Sequence, residues 1–166
     1  MTLRGKAHKL GDNVSTDIHA SAKYKAVGIS LEQLVSELFA DLDPELPKRV
    51  RPGDIVVAGE VFGMVSSRED AALVMKTAGF SAVLAKSFGN LFYRNAINLG
   101  LPALEGNTDG IETDDDIEID LTTGRVTNHT KGTTLQATVL PEPILKLIED
   151  GGLVEHLKKH GDFAVA

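Results

Sequence analysis

The chain has 166 residues, 42% of them hydrophobic and 25% charged, the length and balance of a single domain spanning 1–166 rather than a disordered segment. A formal net charge of -7 argues against a nucleic acid or anionic membrane gripped by charge alone. There is no cysteine, which removes disulfides, a thiol nucleophile, Cys-ligated zinc and a self-ligated iron–sulfur cluster.

The start, MTLRGKAHKLGDN, is polar and reads as loop-rich; it lacks the apolar stretch of a secretory signal. No run approaches the roughly 18 apolar residues of a membrane span. A cytoplasmic protein is therefore expected. Ser30 and Gln33 have capping-box spacing, and Leu31, Leu34, Val35, Leu38 and Phe39 share one helical face. Residues 41–54 carry three prolines and read as loop. The run from Ile55 to Ala58, closed by Gly59, predicts a buried strand, and Glu60 to Val65 a connection. Ser67 and Asp70 have N-cap and N3 spacing ahead of a helix over 71–79. A second buried strand is predicted over 81–85, then a helix over 91–99 stopped by Gly100 and Pro102.

The second half alternates polar and apolar residues. Strands are predicted over 116–121, 125–130 and 134–140, with turns at Thr122-Thr123-Gly124 and Lys131-Gly132. Short helices over 143–150 and 153–160 flank Gly151-Gly152. The pattern is α/β in front and antiparallel behind.

The most informative segment is Gly63 to Asp70 (GMVSSRED), which follows a buried strand and opens a helix. Free N–H groups and the helix dipole favour an anion there. Ser66, Ser67 and Arg68 are the side chains to hold a carboxylate or phosphate, the guanidinium by two parallel hydrogen bonds. On spacing alone the plainer reading wins: Ser67 caps the helix and Arg68 is a solvated charge. The segment is not G-x-S-x-G, so a serine hydrolase elbow does not fit. Ser15 to Tyr24 is a second polar candidate, whose plainer reading is a Ser/Thr or Asx turn. His156 and His160 have i, i+4 spacing but no third metal ligand close in sequence, so a basic helix end is preferred. The acidic run Asp109, Glu112, Asp114, Asp115 and Asp116 lacks EF-hand spacing and reads as a solvated approach to a hairpin.

GDNVSTDIHASAKY, RPGDIVVAGEVFG, SSREDAA, AGFSAVLAKSFGNLFYRNAINLGLPALE and GGLVEHLKKH follow one another along about residues 5–160. In that order they resemble the isopropylmalate dehydratase small-subunit family, the separate-chain form of the swivel domain of aconitase-type hydro-lyases. The resemblance implies a swivelling β/β/α fold. It implies a lyase of branched-chain amino acid (leucine) biosynthesis that reversibly dehydrates and rehydrates a 2- or 3-hydroxy di- or tricarboxylate. A larger partner chain, in a heterodimer or heterotetramer, would carry a [4Fe–4S] cluster; none is expected here. By position the family's base falls on Ser66 and its carboxylate-binding arginine on Arg68, with Ser67 beside it. The upstream cation falls on Lys23, next to Tyr24.

The chain departs from the family pattern in places. Met64 and Val65 stand for the usual Cys-Gly before the serines, Asp70 for histidine and Asn90 for arginine. Lys25 to Gly28 lacks the usual isopropylmalate-type loop pattern. The alternative is thus a diverged, non-catalytic swivel domain that binds small dicarboxylates.

Overall fold

The computed structural model describes residues 1–21, 29–64 and 69–161. Its sheet comprises β1 (Thr2–Lys9), β2 (Ile55–Val57), β3 (Ala82–Ala85), β4 (Ala103–Glu105), β5 (Asp116–Asp120), β6 (Arg125–Asn128) and β7 (Thr133–Gln136). The helices are α1 (Leu31–Ser36), α2 (Leu46–Arg49), α3 (Asp70–Ala78), α4 (Asn90–Asn98), α5 (Glu142–Glu149) and α6 (Leu153–His160). A π-helical turn covers Asp17–Ser21.

The strand order is β4-β3-β2-β1-β5-β6-β7. β1 to β4 are parallel neighbours, and β5 to β7 continue the sheet antiparallel. β1 is the seam. It pairs in parallel with β2, Ala7 opposite Ile55, and antiparallel with β5, Thr2 opposite Asp120. The α/β front and antiparallel back read from sequence are thus two halves of one sheet.

β2 and β3 are apolar along their whole length because both faces are covered. Val56 and Val83 point into a cluster with Phe62, Met75 and Phe92. Ile55, Val57 and Leu84 point the other way, toward Ile97, Ile117 and Ile148. Each such buried side chain contributes roughly 1.5–3 kcal/mol of transfer free energy. β5 shows half-buried alternation instead: Ile117 and Ile119 face the core between partly exposed acids.

Four expectations are corrected. The start is not loop but the central strand β1. Its inward residues are Leu3, Gly5 and Ala7, and the last two are too small to give a hydrophobic signal. Gly5 is required there: a Cβ would lie 2.1 Å from the Gly53 carbonyl oxygen. β4 is a strand where none was predicted, only three residues long behind Pro102. Within 41–54 a short helix, α2, forms with Pro47 in its first turn. Finally, α1 has the predicted capping box, with the Gln33 N–H on Ser30 Oγ and the Ser30 N–H on Gln33 Oε1. However, it ends at Ser36, and Leu38 and Phe39 are buried by the following turn, with Phe39 at φ 58°.

The acidic run is not uniformly solvated either. Asp115 is buried, and its carboxylate accepts the Asn128 amide at 2.7 Å and the Glu112 N–H at 2.9 Å.

Candidate active site at the carboxyl ends of the parallel strands

Parallel strands present their carboxyl ends on one edge, where open α/β sheets take ligands. On this edge β1 runs into Gly11-Asp12-Asn13, β2 into Gly59 to Met64, β3 into Lys86-Ser87 and β4 into Gly106 to Asp109.

These loops are stitched together. Asp12 Oδ1 accepts the Glu60 N–H at 2.7 Å, and the Asn13 N–H donates to the Glu60 carbonyl at 2.7 Å. Ser87 Oγ accepts the Val61 N–H at 2.9 Å and donates to Glu60 Oε2 at 2.8 Å. Val61 sits at φ 52°, a left-handed conformation that a β-branched residue adopts only under constraint, at about 1–3 kcal/mol. The Ser87 hydroxyl supplies part of that constraint.

Gly63 makes the next turn. Its φ is +79°, its N–H donates to the Val14 carbonyl at 2.9 Å, and a Cβ would meet Phe92 Cβ at 2.4 Å. Below it lies a packed aromatic group: Phe62 meets Phe92 edge to face at 5.1 Å, and Phe88 stacks on Phe92 at 6.1 Å. Such pairs add about 0.5–1.5 kcal/mol each and fix the floor under the loop.

Seven residues after Gly63, at Asp70, α3 begins. Glu69 occupies its N-cap position without a side-chain cap, Asp70 lies in its first turn, and Gly79 closes it at φ 110°. The structure thus places the predicted connection and the predicted helix on either side of the Ser-Ser-Arg motif. Ser66, Ser67 and Arg68 themselves lie outside the described residues, as do Val65, Lys23 and Tyr24. So does the Ser67 cap. Their flanks are neighbours: the π-helical turn ending at Ser21 packs against α3. The turn is tied down by the Phe39 N–H on the His19 carbonyl and by His19 Nδ1 against Asp41 at 2.6 Å.

The edge also carries Lys86 and Lys9, not singled out from sequence, beside Asp109 of the acidic run. Lys86 pairs with Asp109 at 2.5 Å, which raises the lysine and holds the aspartate below the usual carboxylate range. Glu60, Lys86, Gly106, Asn107 and Asp109 line an open cleft of about 370 Å³. Lys9 donates to the Thr108 carbonyl, and burial lowers its ammonium despite the nearby Asp109. The sequence signal for these groups was their place just after strands. It was hidden where β1 and β4 were not recognised.

Comparison with known proteins decides the family. An aconitase C-terminal domain model matches residues 10–108. A 3-isopropylmalate dehydratase small subunit 2 from Archaeoglobus fulgidus is 47% identical over 99% of this chain and 100% of its own length. The chain belongs to the isopropylmalate dehydratase small-subunit family. An isopropylmalate/citramalate isomerase small subunit from Methanocaldococcus jannaschii is 44% identical over 95% of this chain and 94% of its own. A crystal structure of 3-isopropylmalate dehydratase from that organism superimposes with a TM-score of 0.89 at 41% identity, covering 97% of this chain and 96% of that one. The swivel-type fold expected from the resemblance is therefore the fold observed. The matched 10–108 spans β2 to β4 and the loops of that edge as far as Thr108. As a family member this chain is the small subunit of a hydro-lyase and works with a large subunit.

Proposed function

We propose that this hydro-lyase small subunit closes over the active site of a cluster-bearing large subunit and isomerises an alkyl-substituted hydroxy dicarboxylate of the isopropylmalate or citramalate type, by dehydration and rehydration. The observation that carries this is the 47% identity across 99% of the chain to a protein of that name. The Methanocaldococcus relative's name, isopropylmalate/citramalate isomerase, favours a site that accepts alkyl groups of different size. We read 1–166 as one swivel domain acting in the cytoplasm. The single seven-stranded sheet supports the first point. For the second, no helix among the described residues is long and apolar enough to cross a membrane.

A [4Fe–4S] cluster held by the partner would supply Lewis acidity at the departing hydroxyl; this chain, without a cysteine, has no thiolate to hold it. This chain's part is proton transfer and orientation. Ser66 is the base that takes the proton from the carbon next to the one losing its hydroxyl, and returns it on rehydration. A serine alkoxide needs stabilisation, which a helix start and a neighbouring guanidinium provide. Arg68 and Ser67 hold one substrate carboxylate. Lys23 and Tyr24, just beyond the π-helical turn in sequence, fix the substrate's other end, a positioning effect. Two features support this arrangement: the Gly63 corner and the start of α3 bracket the motif in sequence, and the π-helical turn packs on α3.

The substrate class is tested by reconstituting the holoenzyme and supplying unsaturated diacids bearing methyl, isopropyl or carboxymethyl groups. Hydration of the methyl and isopropyl compounds is expected. Turnover restricted to the tricarboxylate would overturn the substrate assignment. Binding of malate-type diacids without turnover under any reconstitution would favour the diverged binding module, which Val65 and Asp70 motivate.

A further inference from the structure

The α5–α6 corner assembles a group of metal-ligand type that the spacing of the two histidines alone did not complete. Asp150 follows α5, Gly151-Gly152 reverse the chain, and α6 returns with His156 and His160 on one face. The third ligand absent from the local sequence pattern is supplied by the turn. Asp150 Oδ2 lies 2.7 Å from His156 Nδ1 and 2.9 Å from His160 Nε2. One ligand atom from each of the three residues falls within 4.8 Å of the others. His156 is 3% exposed and the Asp150 side chain 7%, so two of the groups are fixed by packing, while His160 at 43% leaves a path from solvent.

We propose that Asp150, His156 and His160 form a binding site for a zinc-type divalent cation that clamps α6 onto the domain. Two imidazoles and one carboxylate, with a fourth position open to water, match the hard–borderline donor set of zinc and cobalt. Tetrahedral bonds of about 2.0–2.2 Å place ligand atoms roughly 3.3 Å apart. The carboxylate oxygen therefore withdraws from the imidazoles by about half an ångström as the ion enters. Lys159 now occupies the other oxygen, Oδ1, at 2.5 Å. The lysine side chain is 65% exposed and free to turn outward.

The site is separate from the motif edge. Lys76, in the last turn of α3, donates to the Gly151 and Leu99 carbonyls, so the corner sits at the opposite end of α3 from Asp70. Nine residues at 1.5 Å each put about 13 Å of helix between the two ends.

The experiment is a cobalt titration of the full, tag-free chain, followed by zinc displacement. Wild type is expected to develop the visible absorption of four-coordinate cobalt at one equivalent, and zinc to erase it. His160→Ala should weaken binding at least tenfold, Asp150→Asn should do the same while keeping the side-chain shape, and His129→Ala, in a separate histidine–glutamate pair, should bind as wild type. Removing the competing ammonium with Lys159→Ala should leave binding at least as tight. No cobalt spectrum in wild type, or equal binding by His160→Ala and Asp150→Asn, overturns the proposal.

Discussion

Gly63 determines how the chain leaves β2. Two constraints coincide in it, a φ of +79° and a Cβ that would strike Phe92 at 2.4 Å. Gly63→Ala must both adopt a left-handed conformation and displace an aromatic ring from the core. A loss of about 1–3 kcal/mol is expected, read as a lower midpoint in urea denaturation. An unchanged midpoint would contradict the close packing. Arg68→Lys tests the residue assigned to the substrate carboxylate. It keeps the charge and removes the planar fork, so KM should rise about tenfold or more, with a smaller change in kcat. Asp115 gives a pH test. Burial pushes its carboxyl up, but the Glu112 N–H, the Asn128 amide and Lys131 together outweigh this and hold it below 3.8. A depressed native value means the stabilisation is complete above the unfolded value of about 3.9 and fades as pH falls through the native one. Asp115→Asn should therefore lose stability at neutral pH and show a shallower decline on acidification, measured by thermal unfolding from pH 6 to 2.

At the scale of elements, the seam between β1 and β2 is the critical joint. Asp54, just before β2, accepts the Lys6 N–H at 3.1 Å and the Arg51 N–H at 2.9 Å, and meets His8 Nε2 at 2.8 Å. Both side chains of the pair are almost fully buried. Asp54→Ala strips three partners at once and should cost about 3–5 kcal/mol, seen in equilibrium unfolding. A loss below 1 kcal/mol would show that β1 docks without it. The same seam shows what sequence reading could and could not see. The capping box that starts α1 was legible, as were the glycines that follow α3, α4 and α5 and precede α6; the end of α1 was not, because Leu38 and Phe39 continue its apolar face beyond Ser36. So were β2 and β3, whose continuous apolar runs follow from burial on both faces. β1 was hidden because its inward positions, Gly5 and Ala7, are small for reasons of close packing against Gly53 and β2, partners far along the chain. The Asp150–His156–His160 group was half visible for a similar reason: the helical spacing showed two ligands, and a turn supplied the third.

For the whole molecule, the parallel strands build the edge whose loops include Gly59 to Met64, just before the motif in sequence, and the antiparallel strands extend the sheet beyond β1. The candidate site was legible as a motif with family context, not as geometry, because Ser-Ser-Arg before a helix has a plainer meaning as a cap. A chain of net charge -7 that must draw in an anionic substrate also needs its cations concentrated at that edge and a partner to complete the pocket. Purified alone it should be colourless and without hydro-lyase activity. The most direct measurement is turnover of the reconstituted two-subunit enzyme with wild type and with Ser66→Ala. Activity is expected only when both subunits are present, with a fall in kcat of about 10²–10⁴ for Ser66→Ala. Near-normal turnover by Ser66→Ala, with the complex intact, would contradict this.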